Sequence, residues 1–239
     1  MNFLIDTKNR SEAIEIMDDF SMEGEHLYNT LDQLATINKW LGGNHVTLNA
    51  LKKILKNHPK HKKLTIVDLG CGNGDMLRIV SDYLKRNNYN FKLIGVDANS
   101  YTINYAKELS KEYPEITYLQ QDIFSDEFKS LEYDLVLATL FLHHFKEDQL
   151  IELLSNQLRK AKLGVLVNDL HRHKLAYYLF KGLSLFIKNP MVKQDGLTSI
   201  LRGFKRKDLE KMSKQLNVKS ELNWKWAFRF QWILKKVRG

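Results

Sequence analysis

Residues 66–75 join a buried strand to a glycine-rich turn and then to a helix. Residues 64–69 are apolar and β-branched over the length of a strand, and apolar residues at helical spacing follow the turn. Glycine reaches positive φ without strain, and the first N–H groups of a helix are free to bind a ligand. The run therefore predicts a small-ligand site built around Gly70, Gly72 and Gly74.

The spacing of the glycines distinguishes between cofactors. A dinucleotide fingerprint, G-x-G-x-x-G, requires a third glycine where this chain has Asp75, and here the third glycine is Gly74. Asp68 precedes the turn, where a carboxylate repels a diphosphate and attracts the positively charged amino end of S-adenosylmethionine. The pattern D-x-G-x-G-x-G resembles motif I of the class I S-adenosylmethionine-dependent methyltransferases, and S-adenosylmethionine is the predicted cofactor.

Acidic or polar residues also end the next three predicted strands. Asp97 follows the strand at 91–96, where a carboxylate can accept hydrogen bonds from ribose hydroxyls. The resemblance implies that Asp122 contacts the adenine amino group and that Ile123 packs on its ring. The alternative is structural, because Asp is a common helix cap and turn former. The predicted cofactor-binding residues are Asp68, Gly70, Cys71, Gly72, Gly74, Asp97, Ala98, Asp122, Ile123 and Thr139.

Strand and helix patterns alternate from residue 64 to residue 169, which predicts an α/β fold with a parallel sheet. Two aromatic strands, at 222–227 and 228–234, follow a helix at 206–216. The resemblance implies a seven-stranded Rossmann-like methyltransferase sheet with helices on both faces and an antiparallel final strand. We expect a helical amino-terminal cap at 1–60 and a methyltransferase domain at 61–239.

The amino-terminal cap contains two predicted helices, at 27–41 and 46–55, separated by two glycines. In the family that the chain resembles, such a segment lies across the mouth of the site. Trp40 is therefore a predicted lid residue, and the alternative is an ordinary helix break with Trp40 in the core.

The segment 175–187 reads as a helix that is apolar on more than one side, and a turn is predicted at Asp195-Gly196. The segment is too short to span a membrane. Tyr178 and Phe186, on one stripe of it, are predicted to line an acceptor cavity. Peripheral contact with a lipid surface, a homodimer contact and plain core packing are the alternatives.

Methylation of a phenol benefits from a general base, since a phenol is mostly un-ionised at neutral pH. His143 and His171 follow the fourth and fifth strands, and both are catalytic candidates. His171 is preferred because Asp169 could orient its imidazole. No metal is predicted, since no ligand spacing stands out and the adjacent His143 and His144 are not expected to point inward together.

Outer segments at 16–19, 37–43, 168–172 and 224–229 resemble bacterial small-molecule methyltransferases, some associated with type III polyketide synthases. That resemblance implies an aromatic or polyketide-derived acceptor, such as a phenolic lipid methylated on oxygen. The net charge of +9 offers a competing class, an RNA methyltransferase. Nucleic acid is disfavoured because the Asn-Pro-Pro-aromatic pattern is absent after the fourth strand. A non-catalytic cofactor-binding protein is the third class.

The single cysteine, Cys71, lies inside the glycine turn, so no internal disulfide can form and a reducing, cytoplasmic compartment is expected. A helix start lowers a thiol pKa, but small size beside the ligand is the favoured reason for this residue. Residues 1–6 lack the basic segment and apolar core of a signal peptide.

Overall fold

A computed structural model describes residues 5–237. Most of segment 1–6, which was predicted not to be a signal peptide, lies outside the described residues. Seven strands form one sheet in the order β3-β2-β1-β4-β5-β7-β6. The strands are β1 Leu64–Leu69, β2 Phe91–Asp97, β3 Ile116–Gln120, β4 Leu135–Thr139, β5 Gly164–Leu170, β6 Val218–Lys225 and β7 Arg229–Lys236. The first five are parallel to one another, and β7 runs antiparallel between β5 and β6.

Helices cover both faces of the sheet. They are α1 Gly24–Trp40, α2 Gly43–Leu55, α3 Asp75–Arg86, α4 Ser100–Leu109, α5 Asp126–Ser130, α6 Glu147–Lys160, α7 Lys174–Leu183, α8 Pro190–Arg202 and α9 Arg206–Gln215. One apolar core packs α6 and α9 on the sheet, and a second packs α2, α3 and α4 on the other face. The predicted α/β architecture, with seven strands and a late antiparallel pair, is confirmed.

The sheet brings the ends of distant strands together. The strand order reverses between β1 and β4, and in open α/β sheets ligands bind at the carboxyl ends of the strands at such a point. Thr139 of β4 pairs with Asn168 of β5, and Leu170 of β5 pairs with Arg229 of β7. The same edge of the sheet therefore carries side chains from β1, β2, β4, β5 and β7.

Two expectations for the carboxyl-terminal third are wrong. The helix predicted at 175–187 ends at Leu183, and Asp195-Gly196 lies inside α8. α8 begins at Pro190 because the Asn189 side chain accepts hydrogen bonds from the N–H groups of the helix start. Gly196 is needed there because a Cβ would clash with the Phe180 ring, so the glycine allows α7 and α8 to pack closely.

Residues 5–23 form an extended segment, here called the strap, whose regular structure is a 3₁₀ turn at Ile16–Asp18. Its backbone is fastened to α8, since Ser11 N–H donates to the Leu201 carbonyl at 3.0 Å and Asp195 accepts from the N–H groups of Ile16 and Met17. Within residues 5–237, no helix has both the length and the apolar character needed to cross a membrane.

Candidate active site

The glycine turn has the backbone conformation that the sequence predicted. Gly70, Gly72 and Gly74 have φ values of 64°, 52° and 77°. A Cβ at Gly70 would clash with the Phe141 ring and one at Gly74 with the Tyr118 hydroxyl, whereas Gly72 has only the Leu31 side chain at 3.7 Å. Positive φ is thus confirmed at all three positions, but at Gly70 and Gly74 the missing side chain makes room for the protein's own aromatic rings.

Asp97 links the end of β2 to the glycine turn. Its Oδ2 accepts a hydrogen bond from Gly72 N–H at 3.2 Å, and its Oδ1 accepts one from Asn99 N–H at 3.1 Å. Burial raises the pKa of this carboxyl, and the backbone donors partly oppose that shift. Asp97 lines the main cavity, so its carboxylate is positioned by the backbone and available to a ligand's hydroxyl groups.

Asp68 is a buried carboxyl that lacks a partner. It is 2% exposed, its Oδ1 has no hydrogen-bond donor among the described residues, and it lines the cavity. Burial raises its pKa well above the usual range, and the nearby carboxyls of Asp75 and Asp97 add to the shift. An unpaired buried acceptor costs free energy, and a cationic donor would relieve that cost. The amino group of S-adenosylmethionine is such a donor, so these residues fit the cofactor.

Most of the other predicted cofactor residues line the cavity, but one does not. Cys71, Ala98, Ile123 and Thr139 line the cavity, whereas Gly74 does not. Burial, together with the carboxyls of Asp97 and Asp68, raises the pKa of the Cys71 thiol well above its usual range. The thiol is therefore held protonated, which agrees with small size rather than nucleophilicity as the reason for this residue.

Asp122 lines the cavity but is exposed, and its Oδ1 accepts a hydrogen bond from Phe124 N–H at 2.9 Å. One of its two carboxylate oxygens therefore stabilises a local turn, as the structural alternative for Asp122 predicted. The contact of Asp122 with the adenine amino group stays a prediction.

One cavity of about 1440 Å³ extends from the glycine turn to the strap. Ligand pockets commonly measure about 300–1,000 Å³, so this volume is large enough for a cofactor and an acceptor together. Its apolar wall comes from α1, α7 and the segments before β7. The members of that wall include Leu27, Leu31, Leu34, Ile37, Leu41, Leu179, Phe180, Leu183, Trp226 and Phe228.

The predicted lid residue Trp40 does not line this cavity, and neither do the predicted acceptor-cavity residues Tyr178 and Phe186. Trp40 is 80% exposed, because it lies two residues past the inward-facing Asn38 and so about 200° around the helix. It is therefore not a core residue either. Phe186 lies beyond the end of α7 and is 85% exposed. The Tyr178 hydroxyl accepts a hydrogen bond from Ile5 N–H of the strap at 3.2 Å. α7 does line the cavity, but through the side that carries Leu179 and Phe180.

His143 is the histidine that a carboxylate orients. It is 2% exposed, its Nδ1 lies 2.7 Å from Oδ1 of Asp169, and its backbone N–H donates to Asp169 Oδ2. Asp169 also accepts from Leu170 N–H, and although burial alone would raise its pKa, the charge and hydrogen bond of His143 hold that pKa below the usual range. An ionised Asp169 requires Nδ1 of His143 to be the donor, and in the neutral imidazole Nε2 is then the nitrogen that can accept a proton.

The prediction that Asp169 orients His171 is wrong. Nδ1 of His171 accepts a hydrogen bond from Trp224 Nε1 at 3.2 Å, and its ring packs against Phe230. Burial lowers the pKa of His171 to about 4, and neighbouring cations such as His173 and Arg172 add to the shift. His171 lines the cavity, but a group with this pKa is a weak base at neutral pH.

The strap supplies site residues that sequence reasoning missed. Glu15 is 5% exposed, and its Oε1, which has no hydrogen-bond partner among residues 5–237, lies 3.6 Å from Nε2 of His143. Asp18 pairs with His144 Nδ1 at 2.6 Å and with Arg202 Nη1 at 2.6 Å. The segment shows no periodicity, and the His143, His144 and Arg202 partners of Glu15 and Asp18 lie more than 120 positions away along the chain.

The reason given for excluding a metal was also wrong. His143 and His144 both line the cavity, and with Glu15 they offer ligand atoms within 4.8 Å of one another. The 3₁₀ turn Leu142–His144 brings the two rings to a centroid distance of 4.3 Å. These donors could hold a cation, but Nε of Arg202 lies 3.8 Å from Glu15 Oε1. A second positive charge would face that guanidinium, so a proton-carrying network is the better description.

Comparison with known proteins identifies the class of this domain. Residues 66–164 match the family described as "Methyltransferase domain". The match spans 99 of the 239 residues, from β1 to the first residue of β5. A putative methyltransferase, 235L, of Invertebrate iridescent virus 6 is 34% identical over 74 residues, and that alignment spans 31% of this chain and 25% of the viral protein.

Solved structures share the whole fold. The plantazolicin methyltransferase BpumL in complex with SAH is 16% identical, covers 89% of this chain and 89% of its own, and superposes with a TM-score of 0.65. Human N-acetylserotonin methyltransferase in complex with SAM is 17% identical, covers 92% of this chain and 58% of its own, and also has a TM-score of 0.65. The fold of the chain is therefore that of S-adenosylmethionine-dependent methyltransferases, and S-adenosylmethionine is the cofactor that its glycine turn fits.

Proposed function

We propose that this methyltransferase transfers the methyl group of S-adenosylmethionine to oxygen on a small, largely apolar acceptor, such as a phenolic compound. The observation that carries the proposal is the single cavity of about 1440 Å³, which joins the glycine turn to an apolar chamber and to His143. A cofactor bound at the turn and an acceptor in the chamber would share one water-poor space. That arrangement favours methyl transfer because it aligns the reactants and excludes water.

The cofactor half of the site is held by backbone and carboxyl groups. Asp97 would bind the ribose hydroxyls, Asp68 the amino group, and Ile123 would pack on the adenine. When bound, the cofactor supplies an electrophilic methyl group on a sulfonium. The carboxyls of Asp68, Asp75 and Asp97 cluster at this end of the cavity. Burial and the two neighbouring carboxyls raise the pKa of Asp68, so a bound cation would stabilise its ionised form.

His143 would act as the base in the acceptor half. Its Nδ1 is tied to Asp169, so the neutral Nε2 would be positioned to take the proton of an acceptor hydroxyl. Glu15 faces the same nitrogen at 3.6 Å, beyond hydrogen-bond distance, which leaves room for a hydroxyl to bridge the two groups. The strap and α1 both contribute residues to the wall of this chamber.

The acceptor class rests on the lining and on the relatives. Apolar and aromatic side chains from α1, α7 and residues 226–228 form most of the chamber. One structural neighbour is named for N-acetylserotonin and another for plantazolicin, and both names describe those proteins alone. An aromatic or polyketide-derived acceptor, with the type III polyketide synthase association that the outer motifs imply, is the finer form of the proposal.

The decisive experiment separates cofactor binding from acceptor choice. We expect isothermal titration to show SAH binding, and a methyl-transfer assay with a panel of phenolic lipids to show turnover that depends on a free hydroxyl. The same assay with added RNA tests the competing class that the net charge of +9 suggests. Turnover only with RNA would overturn the small-molecule proposal, and SAH binding without any turnover would support a non-catalytic binding protein.

A peripheral lipid contact would suit an apolar acceptor. Leu175, Leu179 and Leu185 on or just after α7 are 52%, 53% and 78% exposed, beside the cavity mouth. Co-sedimentation with phosphatidylcholine vesicles, lost in Leu185→Glu but kept in Leu109→Glu on α4, would support the contact. Size-exclusion chromatography tests the competing use of this surface, association of two copies.

A further inference from the structure

Arg229 is a buried cation without a protein partner. It is the first residue of β7, it is 2% exposed, and it lines the cavity. Its Nε and Nη1 atoms are buried and have no hydrogen-bond partner among residues 5–237. Burial lowers its pKa to about 10, which still leaves the guanidinium charged at neutral pH.

An unpaired guanidinium in a protein interior is energetically expensive. Removing a charge from water costs several kcal/mol unless an opposite charge and hydrogen bonds compensate. Asp169 is the carboxylate whose charge raises the pKa of Arg229, but the pair is not within ion-pair distance. The Asp169 oxygens are used by His143 and by the N–H of Leu170. The cost is therefore not recovered within the described part of the chain.

The surroundings of the guanidinium leave room for a ligand. A Cβ at Gly43 would lie 2.9 Å from Cζ of Arg229 and would clash with Oδ1 of Asn38, so glycine at that position makes room for the guanidinium, which lines the cavity. Oδ1 of Asn38 is itself buried without a partner. Phe228 and Leu41 also line this part of the cavity and provide apolar contact beside the charge.

We propose that Arg229 binds a carboxylate on the acceptor and so makes the substrate an amphipathic acid. This deepens the proposed function and rests on it. A guanidinium presents parallel N–H groups that match the two oxygens of a carboxylate. An acid with an apolar body and a hydroxyl group would place its charge at Arg229, its body against the apolar wall and its hydroxyl toward His143.

The cofactor also carries a carboxylate, and it is the competing source. Arg229 begins on β7, which is three strands from β1 in the order β1-β4-β5-β7. Adjacent strands lie about 4.8 Å apart, so its backbone is about 14 Å from the strand that carries Asp68. That separation favours the acceptor, and the experiment below measures both sources.

The test uses the whole protein saturated with SAH and two probes of the same length, decanoate and decan-1-ol, followed by tryptophan fluorescence. We expect decanoate to bind at least tenfold more tightly than decan-1-ol. Arg229→Met should remove that preference and Arg229→Lys should retain part of it, while SAH affinity stays within twofold. Arg86→Met, which removes an exposed arginine on α3, should change nothing.

Thermal unfolding distinguishes a ligand-binding arginine from a structural one. Because Arg229 is unpaired, Arg229→Met should leave the Tm of the ligand-free protein unchanged or raise it. A fall of many degrees, an unchanged preference for decanoate, or a loss of SAH affinity alone would each overturn the proposal. Failure of the proposed function would be seen separately, as absence of SAH binding in the unmodified protein.

Discussion

His143 and Asp169 lie 26 positions apart in the chain, yet Nδ1 of the histidine is 2.7 Å from Oδ1 of the aspartate. The contact fixes which histidine nitrogen carries the proton, because the carboxylate requires a donor. The same contact occupies Asp169, the carboxylate that the sequence analysis expected to orient His171. The orientation of one imidazole is thus decided by the end of β5, which Asp169 occupies, and by the turn after β4.

The first prediction concerns this pair. His143→Gln should lower the turnover of a phenolic acceptor by about 10²–10⁴-fold, the range for a well-placed general base, and leave SAH affinity unchanged. Asp169→Asn should also lower turnover, since an amide that donates to Nδ1 would move the proton to Nε2. His171→Gln is the control and should lose much less. Equal losses in His143→Gln and His171→Gln would contradict the assignment.

The second prediction concerns cofactor affinity. Asp97→Asn should weaken S-adenosylmethionine binding by about 1.5–3 kcal/mol, the range for hydrogen bonds to a charged group. The two carboxylate oxygens accept from Gly72 N–H and Asn99 N–H separately, and the amide oxygen can replace only one of them. Circular dichroism and the Tm therefore have to show that the variant keeps the fold. Isothermal titration measures the change. Asp126→Ala, at an exposed position of α5, is the matched control, and an Asp97→Asn affinity equal to that control would refute the ribose contact.

The third prediction concerns pH. Burial raises the pKa of Glu15 to about 7 from an ordinary value of 4.5, against the opposing effects of His144, Ser199 and Arg202. Between these two pH values the unfolded chain loses the Glu15 proton and the folded chain keeps it. Stability from this group therefore falls as pH rises, by on the order of 3 kcal/mol in total.

Glu15→Gln removes that dependence. The free energy of unfolding of Glu15→Gln, relative to the unmodified protein, should thus increase between pH 4.5 and pH 8. Urea titrations at several pH values provide the measurement, and both proteins share the other ionisable groups around the site, among them Asp18, His143 and His144. A constant difference across the range would mean that Glu15 is ionised in the folded protein throughout.

The fourth prediction concerns metal ions. The guanidinium of Arg202 lies beside the cluster of Glu15, His143 and His144, so a divalent cation should not be held there. Dialysis against EDTA should leave turnover and Tm unchanged, and added Zn²⁺ or Mg²⁺ should not raise the Tm. A rise in Tm with either ion that is lost in His144→Ala would show that the cluster binds metal after all.

The sequence predicts the positions of the strands and the backbone of the glycine turn well, because both patterns are local. Strand β1 matches its predicted bounds, and the spacing of the three glycines predicts the positive φ of Gly72. The acceptor half is not local. Glu15 comes from a segment with no periodicity, Arg202 from the end of α8, and Arg229 from the start of β7.

Two predictions from the sequence, the turn at Asp195-Gly196 and the lid position of Trp40, differ from the structure for identifiable physical reasons. Asp195 and Gly196 look like a turn because those residue types favour turns, but packing against Phe180 and hydrogen bonds to the strap make helix the lower-energy state. Trp40 is predicted as a lid residue from the family resemblance, but its angle around the helix turns it to solvent. Tertiary contacts thus decide the first case, and helix geometry decides the second.

The position of β7 between β5 and β6 determines the order in which the sheet can assemble during translation. This strand is translated after every other strand of the sheet, yet it fills an interior place and contributes Arg229 to the cavity. Until it emerges from the ribosome, the nascent chain can pair β1 to β5 around the glycine turn but must leave one edge of β5 open. The cofactor cradle can therefore assemble during synthesis, while the acceptor chamber has to wait for the last strand.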